Sequence, residues 1–155
     1  MITNSIREFK TNTLRKLDSA SAQSVYKMKH FDYVTFSGTF TKRNNNSLIK
    51  HSGLLTVDID DIDNVNKLEE IKGKLLDDPS FPTALLFTSP RGKGLKWIIP
   101  ISLEEYTHAE YFKAVSKYLK QKYAIEMDRS GSDVSRACLL PYDPNAYIHP
   151  KFQQL

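Results

Sequence analysis

Leu54-Leu55-Thr56-Val57-Asp58-Ile59-Asp60 is the stretch on which the fold turns. Apolar and β-branched residues run without a break into carboxylates, the pattern of a buried strand that leaves the core at its C-terminal end. Residues i and i+2 of a strand point to one face, about 6.5–7 Å apart at Cα, so Asp58 and Asp60 can converge on one hard cation. Mg²⁺ or Mn²⁺ suits two such carboxylates, because it keeps its other positions for water and substrate phosphate. A carboxylate at the rim of a core is costly unless a cation compensates it, which sets Asp58 apart from an ordinary surface acid. Asp61 and Asp63 read instead as caps of the helix that follows. The run lacks the donors and the glycine of an EF-hand loop.

Outward from this strand, Val65, Leu68, Ile71 and Leu75 recur at helical spacing up to Asp77-Asp78-Pro79. Thr83 to Thr88 reads as the next buried strand, and Leu95 to Ile101 runs back beside it as a hairpin. Ala109, Phe112, Val115, Leu119 and Tyr123 predict a helix from about Glu104 to Lys122. Ala124 to Met127 reads as a short strand ending at Asp128, and another lies around Ala137 to Leu140. Upstream, Ser5 to Tyr26 is a helical lead-in, Tyr33 to Phe36 a strand, and Gly38 to Lys50 an exposed loop. The expected fold class is α+β, a mainly antiparallel sheet with packed helices, in a single domain over 1–155 with its core at 27–150.

The chain has 155 residues, 40% apolar and 26% charged, the size of one core. No apolar run reaches the roughly 18 residues of a membrane span, and the first ten residues lack the apolar stretch of a secretion signal, so a cytoplasmic protein with no membrane partner is expected. The lone Cys138 excludes an internal disulfide, and four scattered histidines make a structural zinc site improbable. Lys and Arg number 22 against 18 for Asp and Glu, a net charge of +4 compatible with a polyanionic partner. The acids crowd into Asp58 to Asp63, an acidic knot in a basic chain.

Two further motifs can carry chemistry. In Ser89-Pro90-Arg91-Gly92-Lys93-Gly94-Leu95-Lys96 the glycines let backbone N–H groups approach an anion, while Arg91, Lys93 and Lys96 add charge. This is no Walker A loop, since the spacing differs and a strand follows. Taken alone, such a turn is more often a basic hairpin tip. In Met127-Asp128-Arg129-Ser130-Gly131-Ser132-Asp133-Val134-Ser135-Arg136 a carboxylate again ends an apolar stretch, and either Asp128 or Asp133 could complete a three-carboxylate metal site. The forked donors of Arg136 suit phosphate or carboxylate. Asp133 reads equally well as a turn cap.

The order Asp-x-Asp, Ser-x-x-Gly-x-Gly-Leu, apolar-Asp and Asp-x-Ser-Arg resembles the catalytic core of the archaeo-eukaryotic primase superfamily. More narrowly, Tyr33 to Phe40, Ser52 to Asp60, Ser89 to Lys96, Asp133 to Arg136 and Pro141-Tyr142-Asp143-Pro144 resemble the VirE N-terminal domain family of mobile-element and phage replication proteins, over residues 25 to 150. The resemblance implies an RRM-like palm that uses a nucleoside triphosphate, a single-stranded or template nucleic acid and Mg²⁺ or Mn²⁺. It places Asp58, Asp60 and Asp128 as metal ligands, and Ser89 with the Gly92 to Lys96 turn as the nucleotide-binding motif. It also implies a fused or separate helicase-type ATPase, and makes this chain, which has no P-loop, either an excised domain or a stand-alone module. One departure matters: active primases usually have histidine where Lys96 stands, although the narrower family carries lysine there, and lysine can still bind phosphate as a point charge.

Three readings follow. In the first, Asp58, Asp60 and Asp128 hold two metal ions for nucleotidyl transfer, with Ser89, Arg91, Lys93, Lys96 and Arg136 around the triphosphate. In the second, turnover is lost and the domain docks nucleic acid or a replication partner through Lys42, Arg43, Lys50 and the basic turn. In the third, the acids serve a metal-dependent nuclease or a structural role, against which the motif order argues.

Overall fold

The computed structural model describes residues 4–153. Leu54–Ile59 (β4) is a strand, and every residue from Leu55 to Ile59 is buried. Both of its faces are covered, and along it apolar and polar residues alternate, Leu55, Val57 and Ile59 turning to one face and Thr56 and Asp58 to the other. The helix at Val65–Leu76 (α3) leads into the hairpin of Leu85–Thr88 (β5) and Leu95–Pro100 (β6), and His108–Tyr123 (α4) follows. A short strand at Tyr147–Ile148 (β8) completes an antiparallel sheet of order β4-β6-β5-β8. The structure is thus α+β, with four helices and antiparallel sheets among the described residues.

The two faces of this sheet differ. Leu55, Val57, Ile59, Leu86, Leu95, Trp97 and Ile99 pack against Leu68, Ile71 and Leu75 of α3 and Phe112, Val115 and Leu119 of α4. Trp97 is fully buried at their centre, and its Nε1–H donates to Thr83 Oγ1 at 2.7 Å. That bond spares the indole the cost of a buried unpaired donor. The opposite face presents Phe87 and Ile98 with Cys138 and Leu140, and on this face β4 and β6 place Asp58 directly opposite Lys96.

That second face is roofed by elements from both ends of the chain. Tyr33–Val34 (β1) pairs with Cys138–Leu139 (β7). The lead-in is two helices, Ser5–Arg15 (α1) and Ala20–His30 (α2), rather than one, because Ser19 starts a new helix by accepting from the Ala22 N–H. Leu14 and Thr11 are fully buried, and the Thr11 hydroxyl accepts from the Tyr142 N–H, so α1 is bound to the C-terminal segment.

Other expectations are corrected. Gly38 to Lys50 is a hairpin, Gly38–Phe40 (β2) with Leu48–His51 (β3), whose irregular register between Thr39 and Phe40 hides the alternation a sequence would show. The cap of α3 is Asn64, which accepts from the Lys67 N–H; Asp61 instead takes a left-handed backbone (φ 54°) that turns the chain away from β4. Residues 124–127 form no strand, since Ala124 caps α4 in the left-handed region (φ 55°). The chain still returns to the outer edge of β4, where the Asp128 N–H donates to Asp58 O at 2.8 Å. Among the described residues no helix is long and apolar enough to cross a membrane.

Candidate functional site

The acids that end two separate stretches meet at this edge. Carboxylate oxygens of Asp58, Asp60 and Asp128 lie within 4.8 Å of one another. Asp58 is held inward by β4, Asp60 follows the last residue of that strand, and Asp128 is fixed by the backbone bond to Asp58. Three negative groups at this separation repel, and a shared cation is the usual resolution. The burial of each differs: Asp58 is buried, Asp128 half-buried and Asp60 exposed.

Part of the charge is met from within. Lys96 forms a salt bridge to Asp58 Oδ2, and both side chains are mostly buried. Asp58 Oδ1 is buried with no hydrogen-bond partner. Burial pushes the Asp58 carboxyl above its ordinary range, with Lys96 pulling it back and Asp60 and Asp128 adding to the rise. Asp128 behaves oppositely. Its oxygens accept from the Ser130 hydroxyl at 2.6 Å and the Ser130 N–H at 2.9 Å, which holds its carboxyl low and ionised, and Arg136 stands 3.8 Å away.

A pocket of about 230 Å³ opens over Asp58 and Asp60. Its cations come from four places: Lys27 of α2, Arg91 of the turn, Lys96 of β6 and Arg136. Desolvation, reinforced by Arg91 and Lys96 and opposed by Asp60 and Asp58, lowers the Lys27 ammonium from its ordinary range. A cavity with carboxylates on one wall and four cations around it fits a metal-bound polyphosphate, in which both signs are needed.

The turn at Ser89 to Gly94 is shaped by short bonds within it. The Ser89 N–H donates to Gly94 O at 2.8 Å, and the Gly92 N–H to Ser89 O at 2.9 Å, with Gly92 at φ 79°. The Gly92 N–H is thereby used in closing the turn rather than offered to an anion. Gly94 has no room for a side chain, since an added Cβ would meet Ile59 O at 2.4 Å and Asp60 Oδ1 at 3.1 Å. The glycine thus brings the turn against the acids. Arg15 clamps the same turn from α1, donating to Pro90 O at 3.1 Å and Ser89 O at 3.5 Å.

The structure therefore brings together Asp58, Asp60, Asp128, Ser89, Arg91, Lys96 and Arg136, with Gly92 and Gly94 shaping the turn. Lys93 is exposed and does not line the pocket; its carbonyl accepts from the Ile62 N–H. Asp133 stands outside the three-carboxylate group and accepts from the Ser135 N–H and hydroxyl, both at 3.1 Å. Lys42, Arg43 and Lys50 are exposed on the β2–β3 hairpin, away from the pocket lining, with Arg43 5.8 Å from the Tyr33 ring centre. Lys27 and Arg15 carry no local signal in the sequence, because helix packing alone brings them to the site.

Residues 26–148, more than half of the chain, match the family model described as BT4734-like, N-terminal domain, a family related to VirE N-terminal domains. No curated protein and no solved structure matches the chain.

Proposed function

We propose that this chain, which belongs to the BT4734-like N-terminal domain family, is a primase-polymerase-like domain that transfers nucleotides from nucleoside triphosphates onto a nucleic acid in mobile-element or phage replication. The observation that carries the reading is the meeting of three carboxylates, two of which, Asp58 and Asp60, line a pocket that also holds Lys27, Arg91, Lys96 and Arg136. The element order β4-α3-β5-β6-α4, with residue 128 returning to the free edge of β4, supports an RRM-like palm.

The donor set fits Mg²⁺ or Mn²⁺. Asp58, Asp60 and Asp128 supply only hard oxygens, and Asp58 Oδ1 is a buried acceptor without a partner. When bound, such a metal neutralises phosphoryl charge and lowers the pKa of a coordinated hydroxyl. Arg91, Arg136 and Lys27 hold the phosphates, Lys96 keeps Asp58 compensated, and the Ser89 to Gly94 turn orients the triphosphate over the acids. A helicase-type ATPase, fused or separate, is the partner that this reading implies.

A second reading, a nucleotide- or nucleic-acid-binding module without turnover, is favoured by the Lys96 salt bridge, which already occupies one Asp58 oxygen. Extension of a labelled primer on a single-stranded template with Mn²⁺ separates the two. The transfer reading predicts product that disappears in Asp60→Asn. Product that persists in Asp58→Ala/Asp60→Ala overturns it, and triphosphate binding without product establishes the second reading.

A further inference from the structure

A second cleft, of about 610 Å³, lies between α4 and the turn at residues 129–132. Lys113, Lys117, Lys120 and Arg129 line it around Phe112 and Ser116, and no acidic side chain is among its lining residues. Lys113, Lys117 and Arg129 form no salt bridge among the described residues, while Lys120 pairs with Glu126 at 2.6 Å. The contrast with α3 shows that this is no ordinary solvated helix face. There Lys67 and Lys74 both bind Glu70, at 3.1 and 2.5 Å, the interleaving of signs usual on a surface helix. The sole acid within α4, Glu110, is committed to a capping box with Thr107.

The lysines fall at i, i+4 and i+7 and so share one face, rising by about 6 Å and then about 4.5 Å along the helix. The turn that forms the other wall belongs also to the carboxylate site. Asp128 caps it, and Gly131 is pressed between Phe112 and β4, where an added Cβ would meet Phe112 Cε2 at 2.9 Å and Thr56 O at 3.0 Å. One turn of chain therefore separates the cationic cleft from the three acids.

The geometry points to this cleft as the seat of a single-stranded nucleic acid, its phosphates along Lys113, Lys117 and Arg129 and its end reaching past the 129–132 turn to the carboxylates. Lys113 and Lys117 of α4 and Arg129 of the turn line the two sides of one cleft, a path that a single phosphate backbone can follow, unlike a face that lies on a membrane with apolar side chains inserting. Only the direction of the strand's end rests on the transfer reading; phosphate binding in the cleft does not.

Anisotropy of a labelled oligo-dT with the full chain in EDTA, between 50 and 200 mM salt, tests the assignment. Lys113→Gln/Lys117→Gln/Arg129→Gln removes three phosphate contacts, so the log–log salt slope flattens by about 2 and affinity at 50 mM salt falls at least tenfold. Lys42→Gln/Arg43→Gln/Lys50→Gln changes the slope by less than about 0.7, the share of one phosphate. An unchanged slope in the first variant overturns the proposal, as does collapse of binding in the second. So does a chain that binds phosphatidylserine vesicles but no oligonucleotide. Melting curves matching wild type certify the folding of both variants, whose substituted residues are exposed. Because EDTA excludes metal, a chain that binds as predicted yet extends no primer defeats the transfer reading alone.

Discussion

Asp58 and Lys96 sit opposite one another on β4 and β6 and close a salt bridge that neutralises the deepest acid of the site. Removing one member of a mostly buried pair leaves the other uncompensated, at a cost of about 3 kcal/mol or more. Lys96→Met is therefore expected to lower the melting temperature of the metal-free protein by about 6–12 °C. Mn²⁺ should raise the melting point of the variant more than that of wild type, since the cation takes over the role of the ammonium. Equal melting points in EDTA would show that the pair is not structurally needed.

Asp60 separates binding from stability. It is exposed, so Asp60→Asn should leave melting within about 1–2 °C of wild type in EDTA. Mn²⁺ affinity, measured by calorimetry, should fall by more than about tenfold, since even groups behind metal ligands are worth roughly 10–100-fold. Unaltered affinity would remove Asp60 from the ligand set.

Two glycines should respond in opposite directions to alanine. Gly94→Ala drives a Cβ into Ile59 O and Asp60 Oδ1, and should destabilise by about 1–3 kcal/mol in urea titration while weakening metal binding. Gly73 lies within α3 with nothing within 4 Å of an added Cβ, so Gly73→Ala should stabilise by about 0.5–1 kcal/mol. If both changes were neutral, the close approach of the turn to the acids would be wrong.

A histidine pair away from the site carries a pH dependence. His51 Nε2 and His108 Nδ1 are 3.0 Å apart, and His51 Nδ1 accepts from the Gly53 N–H. The His51 Nε2 therefore carries the proton and donates to His108 Nδ1, an arrangement only neutral rings permit. Burial lowers both imidazoles from their ordinary range; His108 adds to the fall at His51, while the Gly131 backbone and Asp133 partly oppose it at His108. The unfolded chain then binds more protons than the folded one just below pH 6.5, so stability falls as pH drops through that value and is retained above it. Melting between pH 7.5 and 5.5 should fall in wild type and less steeply in His51→Gln/His108→Gln; parallel slopes would sever the pair from the effect.

What the sequence revealed and what it concealed have physical causes. The β4 strand, the β5–β6 hairpin and helices α3 and α4 were legible because their apolar spacing is set locally by the face each buries. The joining of Asp58 with Asp128 was legible only as chemistry, since one backbone bond across seventy residues creates it. The Lys96 salt bridge follows from the register of β4 against β6, and since α3 and β5 lie between these strands in the chain, no local turn fixes it and no single residue announces it. Lys27 and Arg15 enter the site through the packing of α1 and α2, for which neither carries a local mark. The β2–β3 hairpin leaves no pattern in the sequence, because its bulge and its exposed residues erase the alternation of a half-buried strand.

Titration of Mn²⁺ into the full chain, followed by loss of the free-ion electron paramagnetic resonance signal with and without a nucleoside triphosphate, tests the central claim most directly. The account predicts saturable binding that tightens with triphosphate and is abolished in Asp60→Asn/Asp128→Asn. A free-ion signal that stays undiminished by the wild-type chain, or binding that survives loss of both acids, would contradict it.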